Sequence, residues 1–167
     1  MISIKFITCR AFEVDKLQEI SKLTYKQAFN EILGEANVIE YVNTTYSKDS
    51  LLRELAQPHY NFLFIQNNDE IIGYGMYTIQ IDFLKIDRVY ILNQYKGLGA
   101  GSKFMQYVEK VAKEMKKDFL CLEVLSDNKK AISIYEKKGF RLSSEQIIMI
   151  GQKECPLLSM EKRLNYD

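Results

Sequence analysis

The chain has 167 residues, 47% of them apolar and 27% charged, which suits one globular domain with a sizeable core. Its 23 basic and 22 acidic side chains nearly cancel, which excludes a nucleic-acid binder that relies on a broad basic face. Residues 1–10 alternate without an apolar block of signal-peptide length, and no apolar stretch approaches the ~20 residues that span a bilayer. A cytoplasmic protein with neither nucleic-acid nor membrane partners is therefore expected.

Ile2 to Cys9 alternates like a strand. Val14, Leu17, Ile20, Leu23 and Ala28 have helical spacing, and Gly34 stops a helix over 14–33. Ala36 to Val42 and Asp49 to Ala56 predict two shorter helices. Asn61 to Gln66 and Ile71 to Ile81 flank Asn67-Asn68-Asp69-Glu70 as a hairpin, and Leu84 to Leu92 is a third strand rich in β-branched and aromatic residues.

The clearest helix runs from Ala100 to Lys117, with apolar Phe104, Val108, Val111, Ala112 and Met115 between lysines and glutamates. Phe119 to Leu125 is a strand and Lys129 to Lys138 a helix, with Gly139 as its left-handed stop. Ile147 to Ile150 and Leu157 to Leu164 close the chain as strands. This order predicts a single domain over 1–167, a mixed sheet covered by helices, and does not match a regular Rossmann alternation.

Cys9, Cys121 and Cys155 are odd in number and far apart, with no metal-ligand spacing. Reduced thiols and no metal are expected. The single histidine, His59, follows Pro58 at the mouth of a strand and reads as a loop residue.

Two segments carry chemistry. The first is Gln94-Tyr95-Lys96-Gly97-Leu98-Gly99-Ala100-Gly101, between a strand and the strongest helix. Glycines at alternate positions let the backbone approach a ligand, and the first N–H groups of the helix have no internal acceptor at its positive dipole end. The result is a phosphate or pyrophosphate cradle, or a glycine-rich turn with no ligand. Ser102 stands where a dinucleotide fingerprint needs glycine, and a phosphate loop would need glycine and lysine at 102 and 103.

The second segment runs from Asn128 to Phe140. Asn128 serves as a helix N-cap or as a ligand contact. Ala131 and Tyr135, four apart, share a helix face, with Tyr135 either a core residue or projecting over the strand ends.

In this order the two segments resemble the central motifs of the GNAT superfamily of acyl-CoA-dependent N-acetyltransferases. Gln94-x-x-Gly97-x-Gly99 is similar to that family's pyrophosphate loop, and Asn128-x-x-Ala131 with Tyr135 and Gly139-Phe140 to its second motif. The resemblance is specific from about Leu84 to Arg141. It implies an α/β (α+β mixed) fold with a central, mostly antiparallel sheet of about seven strands flanked by helices. Acetyl-CoA is the implied cosubstrate, its pantetheine arm filling a gap between splayed strands.

Carried onto this chain, the resemblance implies that the backbone of Val89 and Ile91 bonds the pantetheine. Gln94 marks the start of the loop. The amides of Lys96, Gly97, Leu98, Gly99, Ala100, Gly101 and Ser102 would hold the pyrophosphate, Asn128 would contact the cofactor, and Tyr135 would stand beside the thioester sulfur. A narrower likeness, to bacterial spermidine/spermine acetyltransferases of the PaiA type, rests on Leu84 to Ile91, Gly97-Leu98-Gly99, Asn128 to Phe140 and loosely Tyr25 to Phe29. Leu125 stands where such sequences often carry tryptophan.

The implied reaction is direct attack of a neutral amine on the acetyl thioester. The Val89 N–H would stabilise the carbonyl oxygen, Tyr135 would protonate the leaving thiolate, and Asp82, Asp87 or a water relay would take the amine proton. The expected acceptor is a small amine, with a polyamine favoured over a peptide amine; an acetyl-CoA-binding regulatory module is a third reading, and a homodimer is left open. Glu31, Glu35, Glu40 and Tyr41 would line an acidic, aromatic acceptor pocket or else lie on solvated helix surface.

Overall fold

The structure is a computed structural model describing residues 2–166. Strand β1 (Ile4–Thr8) leads into three helices, α1 (Val14–Leu33), α2 (Glu35–Thr45) and α3 (Lys48–Leu55). Next come β2 (Tyr60–Asn67), β3 (Glu70–Ile79), β4 (Phe83–Ile91), α4 (Ala100–Glu114), β5 (Phe119–Leu125), α5 (Lys129–Lys137), β6 (Arg141–Ile150) and β7 (Lys153–Arg163). The strands form one sheet in the order β1-β2-β3-β4-β5-β7-β6, parallel only between β4 and β5. This is the mixed, mostly antiparallel seven-stranded arrangement that the resemblance implies.

Each face of the sheet carries its own core. On one side α1 presses Leu17, Ile20, Tyr25 and Phe29 against Phe62, Phe64, Tyr74 and Met76. On the other, α4 packs Phe104, Met105, Val108 and Ala112 against Ile65, Ile72, Leu84 and Leu122. Each fully buried side chain of this size contributes about 1.5–3 kcal/mol. Helix α4 lies so close to β3 that a Cβ on Gly75 would meet the Phe104 ring at 2.2 Å.

Several details differ from the sequence expectation. Helix α4 ends at Glu114 rather than at 117, and just beyond it Lys116 takes a positive φ of 56°. Met115 is exposed just beyond the end of α4, and Leu23 is exposed because the buried face of α1 passes instead through Ser21, Thr24 and Tyr25. Thr24 is tolerated there because its hydroxyl donates to the Ile20 carbonyl at 2.6 Å. Strand β6 begins at Arg141, six residues earlier than expected; its first seven residues are exposed at the sheet edge and carry no apolar alternation.

Two irregularities of β4 shape the centre of the sheet. Met76 faces Arg88 and Tyr77 faces Ile86, which leaves Asp87 as an extra residue in a β-bulge. The bulge inverts the side-chain alternation, so Leu84 and Ile86 before it, and Val89 and Ile91 after it, all face α4. The second irregularity is that β4 and β5 pair only from Phe83↔Phe119 to Ile86↔Leu122 and then part.

Candidate active site

The fork between β4 and β5 is the centre of the site. The Leu92 N–H donates to the Ile72 carbonyl at 2.8 Å. Along an antiparallel ladder the bonded pairs alternate, so in the same register Tyr90 and Arg88 also turn their backbone groups toward β3. Val89 and Ile91 therefore point theirs the other way, into the fork, where β5 has departed. By the same alternation the Ser126 N–H to Pro156 carbonyl bond, 2.9 Å, turns the backbone groups of Glu123 and Leu125 into the fork from β5. Two half-strands thus face each other with unpaired edges, a place that an extended polar chain can fill.

A cleft of about 580 Å³ runs from this fork to the start of α4. Gly97 (φ 87°) and Gly99 (φ 79°) both take left-handed backbone, and a Cβ on either would meet nothing within 4 Å. No side chain caps α4, whose first turn is closed by the Lys103 N–H donating to the Gly99 carbonyl at 2.9 Å. The amides of Ala100, Gly101 and Ser102 are thus free of intrahelical acceptors at the positive end of a 15-residue helix. The charged side chains lining this cleft, Lys96, Lys130 and Lys138, are all cationic. A loop, a helix end and three lysines of this kind fit the pyrophosphate and phosphates of acetyl-CoA.

A second cavity, about 270 Å³, opens on the α1 side of the fork. Tyr25, Tyr41 and Tyr90 form its aromatic wall, with the Tyr25 and Tyr41 rings stacked at 4.6 Å. Its carboxylates are Asp87 and Glu123. Five residues line both spaces: Phe29, Val89, Tyr90, Asn128 and Tyr135.

Tyr135 stands where the two spaces meet, and burial raises the pKa of its phenol, which stays protonated at neutral pH. Asn128 caps α5, accepting from the Ala131 N–H at 3.3 Å, and borders both spaces. Lys85 bridges the two carboxylates, 3.4 Å from Asp87 and in direct contact with Glu123. Desolvation lowers the pKa of its ammonium, but the hydrogen bond to Glu123 and the charge of Asp87 outweigh this and leave it raised.

The structure brings Val89, Ile91, Lys96, Gly97, Gly99, Ala100, Gly101, Ser102, Asn128 and Tyr135 to the larger cleft. It does not bring Gln94 or Leu98 there; Gln94 is exposed on a single turn over Asn93–Tyr95. Asp87 borders the smaller cavity, whereas Asp82 is exposed in the bend before β4. Of the proposed acceptor residues only Tyr41 lines that cavity, and Glu31, Glu35 and Glu40 lie on solvated helix surface. His59 is an exposed loop residue. Burial pushes the Cys9 thiol up to about 12 and the Cys121 thiol up to about 11, so neither is a reactive thiolate.

Sequence reasoning missed Lys85, Glu123, Lys130, Ile134 and Lys138. The last three recur at four-residue spacing along one face of α5, a signal that was present; a lone Glu in a strand gives none.

Comparison with known proteins agrees with this geometry. Residues 19–140 match the model of the "Acetyltransferase (GNAT) family". The chain is 23% identical over 172 residues to an uncharacterised N-acetyltransferase in the pepI 3′ region of Lactobacillus delbrueckii subsp. lactis, covering 98% of this chain and 99% of that one. It is 26% identical over 136 residues to the spermidine N(1)-acetyltransferase of Thermoplasma acidophilum, covering 78% and 83%. The fold matches the crystal structure of PaiA N-acetyltransferase from Thermoplasma acidophilum in complex with coenzyme A, with a TM-score of 0.83, 22% identity and coverage of 97% and 99%. No helix among the described residues is long and apolar enough to cross a membrane. The chain belongs to the GNAT acetyltransferase family and is an acetyl-CoA-dependent N-acetyltransferase.

Proposed function

We propose that the enzyme acetylates a primary amine of a small polyamine such as spermidine or spermine. The observation that carries this is the separation of charge at Tyr135. The cleft on one side is lined by lysines alone among charged residues, whereas the cavity on the other holds Asp87 and Glu123 beside tyrosine faces, with Lys85 paired to both carboxylates and Arg88 paired to Glu54. A polyanionic cosubstrate suits the first space, and a flexible cation with apolar segments suits the second. The similarity to a spermidine acetyltransferase supports the same acceptor class.

Bound acetyl-CoA supplies the activated acetyl group. On this proposal the amides of Gly97 and Gly99 to Ser102, with Lys96, hold its pyrophosphate, and the fork-facing backbone of Val89 and Ile91 holds its arm. The Val89 N–H is then a fixed donor for the acetyl carbonyl oxygen. A water relay opening on the smaller cavity takes the proton from the acceptor ammonium, and the Tyr135 hydroxyl gives one to the departing sulfur. Attack by the neutral nitrogen forms the N–C bond as the C–S bond breaks.

The test is kcat/KM for spermidine, spermine and a lysine peptide, by thiol release at fixed ionic strength. The polyamines are expected to win. A lysine or amino-terminal peptide that wins by about tenfold (~1.4 kcal/mol) or more overturns the acceptor assignment.

A further inference from the structure

The carboxylates of the smaller cavity are held by a set of contacts that point to a specific occupant. The Thr78 hydroxyl donates to Asp87 Oδ2 at 3.0 Å, and the Gln146 side-chain amide donates to Glu123 Oε2 at 3.2 Å. Each carboxylate thus has one oxygen fixed by a neutral donor and its other oxygen turned to Lys85 Nζ. The remaining cation of the cavity, Arg88, is engaged elsewhere by both oxygens of Glu54, at 3.1 and 2.7 Å. Four strands contribute to a seat for one ammonium, its carboxylates one residue beyond the last paired rung, Ile86↔Leu122, where β4 and β5 part.

Resting on the amine-acetyltransferase reading, we propose that Lys85 is a tethered stand-in for a substrate ammonium. It occupies the seat in the free protein and yields it to a distal ammonium of a di- or polyamine. Lys85 thereby sets the enzyme's preference between polyamines and monoamines. The seat carries two carboxylates and one ammonium, and exchanging one ammonium for another preserves that balance. The Lys85 side chain is 28% exposed on a flexible four-carbon stem, so its charge can swing into water as the substrate arrives. A monoamine must bring its single nitrogen to Tyr135 and leaves the seat to Lys85. Lys85 therefore competes with polyamines and not with monoamines.

The experiment compares wild type with Lys85→Gln and Lys85→Met, using kcat/KM for spermidine and for butylamine at fixed low salt. Removal of the competitor is expected to raise the spermidine-to-butylamine ratio about tenfold, mainly through KM for spermidine. Glu123→Gln is expected to lower the same ratio. A ratio that stays level or falls in both lysine variants overturns the proposal. A second measurement needs no substitution: in wild type, NMR is expected to find the Lys85 ammonium protons protected from exchange in the free protein, and spermine added with CoA should abolish that protection. Protection that persists at saturating spermine also overturns it. An enzyme that acetylates no amine would sink the function proposed above and this inference with it. Amine turnover with an unmoved ratio would sink only the role of Lys85.

Discussion

The Phe140 N–H donates to the carbonyl of Tyr135 at 3.0 Å, and the two rings meet edge-on with centroids 6.1 Å apart. Gly139, at φ 98°, makes this closure possible, and its own N–H donates to Glu136 at 3.0 Å. The pair is a Schellman stop with its accompanying apolar contact, which fixes the last turns of α5 and the Tyr135 ring upon them. Tyr135→Phe keeps that packing and removes only the hydroxyl. It should lower kcat by roughly 100-fold or more while CoA affinity stays within about twofold. Single-turnover thiol release and calorimetry check the two halves, and an unchanged chemical rate would return Tyr135 to a packing role.

Gly99 and Gly75 should fail in opposite ways. A Cβ on Gly99 meets no atom within 4 Å, so Gly99→Asp loses stability only through its left-handed backbone, about 1–2 kcal/mol. Its carboxylate would face the pyrophosphate at the helix end and should weaken CoA binding at least about tenfold. Gly75→Ala instead places a methyl 2.2 Å from the Phe104 ring and should cost roughly 1–3 kcal/mol by forcing α4 from the sheet. Chemical unfolding and CoA titration of both variants separate the roles; equal CoA binding by Gly99→Asp would contradict the assignment of the loop.

Arg88 and Glu54 tie β4 to α3 through two hydrogen bonds, with the guanidinium lying 5.3 Å from the Tyr46 ring centroid and only 13% exposed. Glu54→Ala leaves that cation without its partner and should cost about 3 kcal/mol. Arg88→Met removes the same ion pair but leaves no buried charge, so it should cost less. Urea unfolding midpoints of the two variants give the comparison, and the reverse order would mean that Arg88 acts through its packing on Tyr46 and Phe62.

The pH response should be one-sided. Burial raises the phenols of Tyr25, Tyr46, Tyr74, Tyr90 and Tyr135 above their ordinary 10.0, and the thiols of Cys9 and Cys121 above 9.0. In the unfolded chain these groups release protons at ordinary values, while the folded chain retains them. Their contribution is therefore complete below about pH 9 and is lost as pH rises through the raised folded values, by ~1.4 kcal/mol per unit for each group titrating. Thermal unfolding scans should be level between pH 7 and 8.5 and then drop steeply above 10. A protein equally stable at pH 11 would contradict the burial of this tyrosine cluster.

Much of this was legible in the sequence where one residue type has one physical reason. Gly34 ends α1 where expected, and Phe119 to Leu125 is a strand with the bounds its apolar run suggests. The first half of β6 was hidden because an exposed edge needs no apolar face. The bulge at Asp87 leaves a trace, since apolar positions slip from 84 and 86 to 89 and 91, but that slip has meaning only once β3 supplies the register. The acceptor side was least legible. Glu31, Glu35 and Glu40 are close in sequence yet turned to solvent, while Lys85, Asp87 and Glu123 meet only because β4 and β5 are neighbours in the sheet.

The placement of acetyl-CoA between β4 and β5 is tested most directly by amide resonances during a CoA titration of the uniformly ¹⁵N-labelled protein. The amides of Val89 and Ile91, which face the fork, and those of Gly97 and Gly99 to Ser102, at the start of α4, are predicted to show the largest shifts. They should saturate together at one CoA per chain. Saturable binding that leaves Val89, Ile91 and the Gly97–Ser102 amides unmoved would contradict the account at its centre.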